Sequence, residues 1–426
     1  MVRPLIEITG AGQLPLVAVG APAAPSLVAS SLFTGWESMV FGGPSFDFGN
    51  AAEDVGLLAF LTAASTAQAV ELTFTDGVPS AGSSQSVSSG ISNAGSTTGQ
   101  KPCVRGVPGV DNSYLITIHQ REHPSGSLKF KIKEVSVSGG TISNPSFATS
   151  GSLGSASNNP YSHMLARYDA SDPSYWHYAF AQVDSAALLG GMIERTGVNT
   201  FSFALTGALE DEAIYDGKYV MPYYDELAQK ALLFSAGSGV SSMSWHSAVL
   251  TGTGWSEDSA ADVFGAGARS PNQTVKLDDS LYLSFCGGNR STSAEVHARV
   301  LTPSMLGWQS AFSFPPEESI FKLIGVEEVD PGIYLARLIE ANQLKLTTTA
   351  TVRVRSVTFR LDTTGGSDFA ERVGDWVEVE TVDRTGDAGA NPFEIILPQL
   401  GAHDTAVLLY TGADGASIRM SHFSVA

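Results

Sequence analysis

Four carboxylates stand where a pair of acids could cleave a glycosidic bond. Asp169, Asp225, Glu226 and Glu340 each come just after an apolar segment that we interpret as an inner strand, where a loop could aim them at a central channel. Glycoside hydrolysis requires two carboxyl groups flanking the scissile bond. Carboxylates are also common in turns, and sequence does not give their separation. We expect no enzyme, because the chain has no Gly-x-Ser-x-Gly, phosphate-binding or dinucleotide motif, and we keep glycoside hydrolysis as an alternative.

The thiols and imidazoles show no spacing typical of a metal site. The eight histidines form no His-Glu-x-x-His motif, and neither Cys103 nor Cys286 has a second thiol nearby. Zinc sites need ligands that are closely spaced in this way. We therefore predict no metal, no cofactor and no catalytic residue. Whether Cys103 and Cys286 pair with each other stays open.

Six aromatic residues beside polar turns are the candidate contacts for a ligand or partner. Exposed aromatic side chains next to polar loops are a common means of binding sugars or proteins. The other interpretation is that they pack between neighbouring sheets. The six residues are Tyr175, Trp176, Tyr178, Tyr223, Tyr224 and Trp255.

Composition and charge exclude several classes of partner. The chain has 43 acidic and 24 basic residues and a formal net charge of −19, so we expect no nucleic-acid partner. Lys129, Lys131 and Lys133 alternate along one segment, which predicts a single solvated face. No apolar run reaches the roughly 18 residues that span a bilayer, so we expect no membrane insertion. Glu7 interrupts the segment where a secretion signal would be apolar, which favours a reducing compartment.

A repeated strand start indicates how these residues are positioned. Seven times an Asp or Asn turn precedes a short apolar strand, and the starts from Asp54 to Asp404 are on average about 58 residues apart, close to the repeat of about 40 to 50 residues in propeller blades. We predict an all-β fold, a β-propeller of seven blades. In this prediction the turn-led strand is innermost, and each Asp side chain accepts backbone N–H groups of its turn. The seven starts are Asp54, Asp111, Asn159, Asp216, Asp279, Asp330 and Asp404.

The two ends of the chain complement each other. After Asp404 only two strands follow, whereas strand-like sequence stands before Asp54. We predict that N-terminal strands complete the last blade, because a closed ring leaves no exposed sheet edge. Residues 1–30 are then closing strands, or alternatively a tether outside the ring, and residues 31–426 form the propeller. A separate β-sandwich at 31–105 with a smaller propeller behind it is the other arrangement.

The repeat resembles the β-propeller repeats of tailed-bacteriophage virion proteins, such as tail fibres, spikes and nozzle-type tail components. The resemblance rests on the Asp turn, the strand that follows it, and phrases such as Val135-Ser-Val-Ser-Gly-Gly-Thr-Ile-Ser, and it covers roughly residues 54–426. It implies a structural component of a virion that assembles with other virion proteins and with copies of itself, and that attaches to a host-surface glycan or protein. It brings no catalytic residue with it. A carbohydrate-binding lectin is the alternative from another class.

Overall fold

The structure is a computed structural model, and every regular element among its described residues is a β-strand. In the described part of the chain there is no helix that could cross a membrane. The all-β prediction is confirmed. The described residues are 26–34, 45–62, 66–88, 102–121, 128–149, 160–167, 174–182, 188–210, 217–225, 230–237, 243–251, 254–264, 270–278, 281–287, 295–302, 305–313, 318–343, 351–364, 370–383, 393–396, 405–411 and 418–424.

The described strands form seven antiparallel sheets, which we number along the chain, and strand β1 (Ser26–Phe33) belongs to the last of them. Sheet 1 contains β2 (Ser45–Phe48), β3 (Val55–Leu61), β4 (Ala67–Thr75), β5 (Val78–Ala81) and β6 (Gln85–Ser88). Sheet 2 contains β7 (Cys103–Gly106), β8 (Ser113–Arg121), β9 (Leu128–Ser138), β10 (Thr141–Ile142) and β11 (Ala148–Thr149). Sheet 3 contains β12 (Pro160–Arg167), β13 (Tyr175–Gln182), β14 (Leu188–Gly197) and β15 (Thr200–Glu210).

The remaining four sheets each have four strands. Sheet 4 contains β16 (Gly217–Asp225), β17 (Lys230–Gly237), β18 (Met243–Thr251) and β19 (Gly254–Phe264). Sheet 5 contains β20 (Ser270–Asp278), β21 (Leu281–Gly287), β22 (Glu295–Thr302) and β23 (Met305–Ser313). Sheet 6 contains β24 (Glu318–Asp330), β25 (Ile333–Gln343), β26 (Thr351–Asp362) and β27 (Ala370–Asp383). Sheet 7 contains β28 (Phe393–Ile396), β29 (Thr405–Thr411), β30 (Ile418–Ser424) and β1.

Each sheet has a four-stranded meander in which strands adjacent in the chain are adjacent in space, except that β1 occupies the fourth position of sheet 7. In sheets 1 and 2 the short fifth strands β6 and β11 pair with the third strands β4 and β9. The first strand of every sheet lies against the first strand of the next, from β2 and β7 through to β24 and β28. First strands that contact each other in series are the innermost strands of a propeller. The seven sheets equal the seven predicted blades in number.

The hydrophobic core lies between the sheets. Strand β3 is buried on both faces, so Leu58 and Phe60 pack with sheet 7 while Leu57 and Ala59 pack with sheet 2. A third cluster, which includes Phe130, joins sheets 2 and 3. Strands covered on both faces read as continuous apolar runs rather than as alternating patterns. This is why the second strands are the most visible segments of the sequence.

The predicted position of the turn-led strand is wrong for five of the seven starts. Asp54, Asp111 and Asp330 precede the second strands β3, β8 and β25, and in the sequence Asp279 and Asp404 precede the second strands β21 and β29. Only Asn159 and Asp216 stand before first strands, β12 and β16. In sheet 1 the innermost strand β2, Ser-Phe-Asp-Phe, is short and alternates polar with apolar residues, because Ser45 and Asp47 are buried as acceptors for backbone N–H groups of β7. The second strand β3 is apolar along its whole length.

Backbone hydrogen bonds confirm this corrected register. The N–H of Phe74 donates to the Asp54 carbonyl (2.8 Å), and the N–H of Val137 donates in the same way to Asn112 (2.9 Å). In sheet 3 the equivalent acceptor is Ser174 (2.6 Å to the Arg195 N–H). The counterpart of Asp54 in sheet 3 is therefore Ser174, directly before β13.

The predicted role of the Asp side chain is also different. The Asp54 carboxylate accepts a hydrogen bond from the side-chain amide of Asn50 (2.5 Å) rather than from a backbone N–H. In the turn after β24 the backbone N–H of Gly332 donates to Glu328, not to Asp330 (3.1 Å). Side-chain acceptors do organise these turns, but neighbouring residues supply the bonds.

The N-terminal strand β1 pairs with β30 from Ser26 opposite Ser424 to Phe33 opposite Ile418. Sheet 7, which β1 completes, contacts both sheet 6 and sheet 1. The boundary predicted after residue 30 falls inside β1. A separate sandwich at 31–105 is wrong for the described part of that range, because sheet 1 shares its two cores with sheets 7 and 2. Closure of a seven-bladed ring stays a prediction, and these contacts support it.

Candidate functional site

Trp176 is not a surface contact. Its side chain is fully buried between sheets 2 and 3, where it packs with Leu165 and Ile193. A buried indole does not reach a ligand, so the predicted contact role of Trp176 is wrong. The residue follows a polar turn, but it is the second residue of β13, a strand that is covered on its Trp176 side by sheet 2.

The other five aromatic candidates lie in two neighbouring sheets, and their side chains fall outside what is described. Tyr175 and Tyr178 belong to β13 in sheet 3. Tyr223 and Tyr224 lie near the end of β16, the first strand of sheet 4, and Trp255 lies in β19, the fourth strand of the same sheet. Their role as contacts stays a prediction.

The four candidate carboxylates do not share the predicted position. Asp225 is the last residue of the first strand β16 and pairs with Lys230. Glu340 lies within β25, a second strand, and is flanked by Phe321 and Arg355 on the two neighbouring strands. The prediction that Glu340 follows an inner strand is therefore wrong. Asp169 and Glu226 lie outside the described residues.

Lys133 contradicts the prediction of a solvated lysine face. Its side chain is fully buried, and Nζ donates hydrogen bonds to the Val87 carbonyl of sheet 1 and to Oδ1 of Asn144. The ammonium also lies 4.5 Å from the centre of the Phe147 ring. Burial lowers the pKa of Lys133 to about 8. The alternation along β9 is real, but this face of the strand meets sheet 1 instead of solvent.

A carboxylate and a guanidinium join sheets 2 and 3. Glu134 of β9 accepts two hydrogen bonds from Arg195 of β14, both 2.8 Å long. Ser113 Oγ donates a third (2.6 Å) and the backbone N–H of Asn199 a fourth (2.9 Å). Burial alone would raise the pKa of the Glu134 carboxyl, but these hydrogen bonds outweigh it and hold the pKa below its usual range.

A similar contact joins sheets 1 and 2. Glu71 of β4 accepts a hydrogen bond from the backbone N–H of Gly140, in the tight turn between β9 and β10. Gln85 adds two bonds to the same turn, donating to the Gly140 carbonyl (2.7 Å) and accepting from the Ile142 N–H (3.1 Å). Gly139 and Gly140 both have positive φ, the conformation that glycine adopts most readily.

The same arrangement joins sheets 7 and 1. Nδ1 of His422, in β30, donates to the carbonyl of Gly77 (2.7 Å), in the turn between β4 and β5. The His422 ring also meets the Phe74 ring at 5.6 Å between centroids. Gly77 has φ of +77°, and a Cβ there would lie 2.5 Å from Val28.

One rule therefore describes three seams between sheets: a side chain on the third strand binds the turn between the third and fourth strands of the next sheet. We call these contacts clasps. The sequence analysis missed them because an isolated Glu or His in a strand carries no obvious signal.

Polar groups also link the innermost strands. Asp47 of β2 is buried, and its carboxylate accepts the N–H of Gly106 of β7 (3.0 Å). Ser45 accepts the N–H of Val104 in the same pair of strands (3.0 Å). Arg105 then donates to the Leu165 carbonyl of β12 (2.9 Å). These groups satisfy backbone atoms of a neighbouring sheet, so they hold the centre together rather than present reactive groups.

The seam between sheets 6 and 7 is built differently. Glu380 of β27 accepts one hydrogen bond from Ser421 Oγ (3.0 Å), and its other oxygen is buried without a partner. Burial raises the pKa of Glu380, and the hydroxyls of Ser421 and Ser30 offset this only in part.

Exposed apolar side chains gather on the outer strands of sheets 7 and 1. Leu27, Val28 and Leu32 of β1 are 39%, 41% and 52% exposed, and Val78 of β5 is 50% exposed. The two strands contact each other, and Ser31 Oγ donates to the Pro79 carbonyl (3.1 Å). We call Leu27, Val28, Leu32 and Val78 the apolar rim.

Among the described side chains, no group of three or more His, Cys, Asp or Glu residues could hold a metal ion. Cys103 is a buried free thiol. Tyr114 is buried as well, and its hydroxyl donates to the Val55 carbonyl (3.2 Å), while burial raises its pKa. Most of the buried polar groups described above form hydrogen bonds between sheets, and one oxygen of Glu380 is an exception.

Comparison with known proteins identifies the fold and nothing beyond it. No protein-family model and no curated protein matches the chain. Among solved structures, the chain is similar to the BP39L lectin of Burkholderia pseudomallei, with 10% identity, 91% of this chain and 97% of that chain covered, and a TM-score of 0.54. It also matches the Nup133 β-propeller domain of Vanderwaltozyma polyspora (10% identity, 92% and 99% covered, TM-score 0.42) and domains 1–2 of Drosophila semaphorin 1a (6%, 93% and 88%, 0.47). The fold is that of a β-propeller.

Proposed function

We propose that the protein is a non-catalytic structural component of a tailed-bacteriophage virion, of the tail fibre, spike or nozzle type. It assembles in the host cytoplasm with other virion proteins and with copies of itself, and it contributes to attachment to a host-surface glycan or protein. The proposal starts from the resemblance of the repeats to virion propellers.

The use of the buried polar groups is the observation that carries the proposal. Among the described residues, four polar side chains form hydrogen bonds between neighbouring sheets: Asp47, Glu71, Glu134 and Arg195. A catalytic carboxylate has to face a reacting group instead. A scaffold held by such clasps suits a protein whose work is assembly and binding. The buried Trp176 supports neither a lectin nor a glycoside hydrolase. The carbohydrate-binding lectin stays the alternative, and it depends on the other five aromatic residues.

Incorporation into particles tests this function. Residues 1–25 precede β1, and they are the segment that we expect to bind another virion protein. A chain without residues 1–25 keeps β1 and all the clasps, so it should fold, yet it should be absent from particles assembled in infected cells. Immunoblots of purified particles measure this. Presence of the full-length chain in the host lysate but never in particles would overturn the virion proposal.

A further inference from the structure

The fourth strands of a propeller are sheet edges, and an edge with unpaired backbone groups invites pairing with another chain. Proteins prevent this with short edge strands, proline, charge and bulges. Strand β5 has four residues, including Pro79. Strand β27 has six charged residues and a register shift against β26. Both edges are thus protected.

Strand β1 lacks three of these four protections. It has eight residues, Ser-Leu-Val-Ala-Ser-Ser-Leu-Phe, without proline and without charge. No residue of β1 is fully buried, and three of its four large apolar side chains are among the exposed large hydrophobics of the described residues. Its one irregularity, at Val28, is near its beginning and leaves Ala29–Phe33 in continuous register with β30. An apolar edge of this length is a pairing surface.

Charge and symmetry identify the occupant. The chain has a net charge of −19, so two copies repel each other over most of their surface. In a two-fold interface the same strand of each copy faces the other. An uncharged strand can meet itself in this way, because no charge needs an opposite charge on the second copy. The neighbouring β27 is acidic and could not meet itself in this way. The surface therefore fits a second copy of this chain.

We propose that two copies associate through their β1 strands, paired antiparallel across a two-fold axis along the edge of β1 opposite β30, where no described strand pairs with it. The pairing joins the two sheets 7 into one eight-stranded sheet. It also covers the apolar rim, because Val28 lies beside the Gly77 turn and the rim continues from β1 onto β5. This surface goes beyond the proposed function, which requires binding to other virion proteins but does not say where copies of the chain meet.

A matched pair of charge substitutions tests the surface. Leu32 is 52% exposed on β1 and Val377 is 48% exposed on β27. Leu32→Lys should weaken self-association by at least about tenfold, because each copy would then bury an unpaired charge in an apolar contact. Val377→Lys should leave self-association unchanged. Light scattering over a concentration series of the full chain gives the mass, and urea unfolding of both variants verifies that each is folded.

Cysteine cross-linking tests the two-fold geometry. Ala29 and Ser30 are the central residues of β1, so a two-fold axis brings one of them close to its own copy. Ala29→Cys or Ser30→Cys should form a covalent dimer under mild oxidation, and Val377→Cys should not. A wild-type chain that is monomeric at every concentration overturns the proposal, as does a dimer that tolerates Leu32→Lys and forms neither cross-link. Incorporation into particles is measured separately, so failure here leaves the virion proposal standing.

Discussion

Glu134 and Glu380 both lie between neighbouring sheets, and their surroundings differ. Glu134 receives four hydrogen bonds, two of them from the guanidinium of Arg195. Glu380 receives one from a serine hydroxyl and keeps a buried oxygen without a partner. The pKa of Glu134 is accordingly lowered and that of Glu380 raised. Burying a carboxylate between sheets stabilises the seam only when donors replace the lost water.

The two seams should therefore respond to pH in opposite directions. A lowered pKa means that the stability from Glu134 is present above the carboxyl's unfolded value of about 4.3 and is lost as the pH falls through the folded value. A raised pKa means the reverse for Glu380, whose contribution is greatest in acid and is lost as the pH rises through its folded value. The seam between sheets 2 and 3 weakens in acid, and the seam between sheets 6 and 7 does not.

The largest effect should come from Glu134→Ala. The substitution leaves the mostly buried Arg195 guanidinium without its carboxylate and removes the acceptor of the Asn199 N–H, so we expect a loss of about 3–5 kcal/mol at neutral pH. The difference from the wild type should shrink as the pH falls below about 4. Urea unfolding at several pH values measures both.

Glu380→Ala is the matched control for that experiment, since it truncates the same residue type at another seam. It should cost much less than Glu134→Ala, or nothing. Equal losses for the two variants would mean that the hydrogen-bond count at a seam does not set its strength, and the comparison between the seams would fail.

Lys133 extends the comparison to a buried cation whose contacts, among the described residues, include no carboxylate. Its pKa of about 8 lies below the unfolded lysine value of about 10.4, so the folded chain releases the proton first as the pH rises. The unfolded chain then holds more protons, and stability should rise between about pH 8 and pH 10.5, on the order of 3 kcal/mol from this group. Lys133→Met should lack this rise.

The measurement is the difference in unfolding free energy between wild type and Lys133→Met across that pH window, because other lysines and tyrosines titrate in both chains and cancel. Lys131, which is partly exposed on the same strand, provides the control variant Lys131→Met. A wild-type chain whose stability follows that of Lys133→Met at every pH would contradict the buried-cation assignment.

The sequence allowed the fold to be predicted better than the site. Apolar runs such as Leu57–Leu61 mark strands reliably, because a strand covered on both faces must be apolar. The same physics misplaced the repeat by one strand, since the short innermost strand with Asp47 is the less apolar of the two. The alternating lysines predict that Lys133 is exposed to solvent. Such a pattern shows that a strand has two different faces, but it does not show what covers each face.

The clasps cannot be predicted from the sequence, for a related reason. Glu134 and Arg195 are 61 residues apart, and their pairing depends on how one sheet packs against the next. Glu71 and Glu134 look like ordinary solvated residues of a strand until the neighbouring turn is in place. Long-range contacts between sheets follow from the assembled ring, and no local pattern encodes them.

The smallest predicted effect belongs to Glu380→Gln. The amide keeps an acceptor for Ser421 and removes the cost of burying a charge, so stability at neutral pH should rise by up to about 1 kcal/mol. In acid the wild-type carboxyl is protonated and resembles the amide, so the gain should vanish as the pH falls through the folded pKa. Glu371→Gln, on the exposed part of β27, should change nothing at either pH. If Glu380→Gln instead destabilises the chain at neutral pH, interactions that favour the charged carboxylate, such as that with Arg419, outweigh the cost of its burial, and the contrast between the two seams fails.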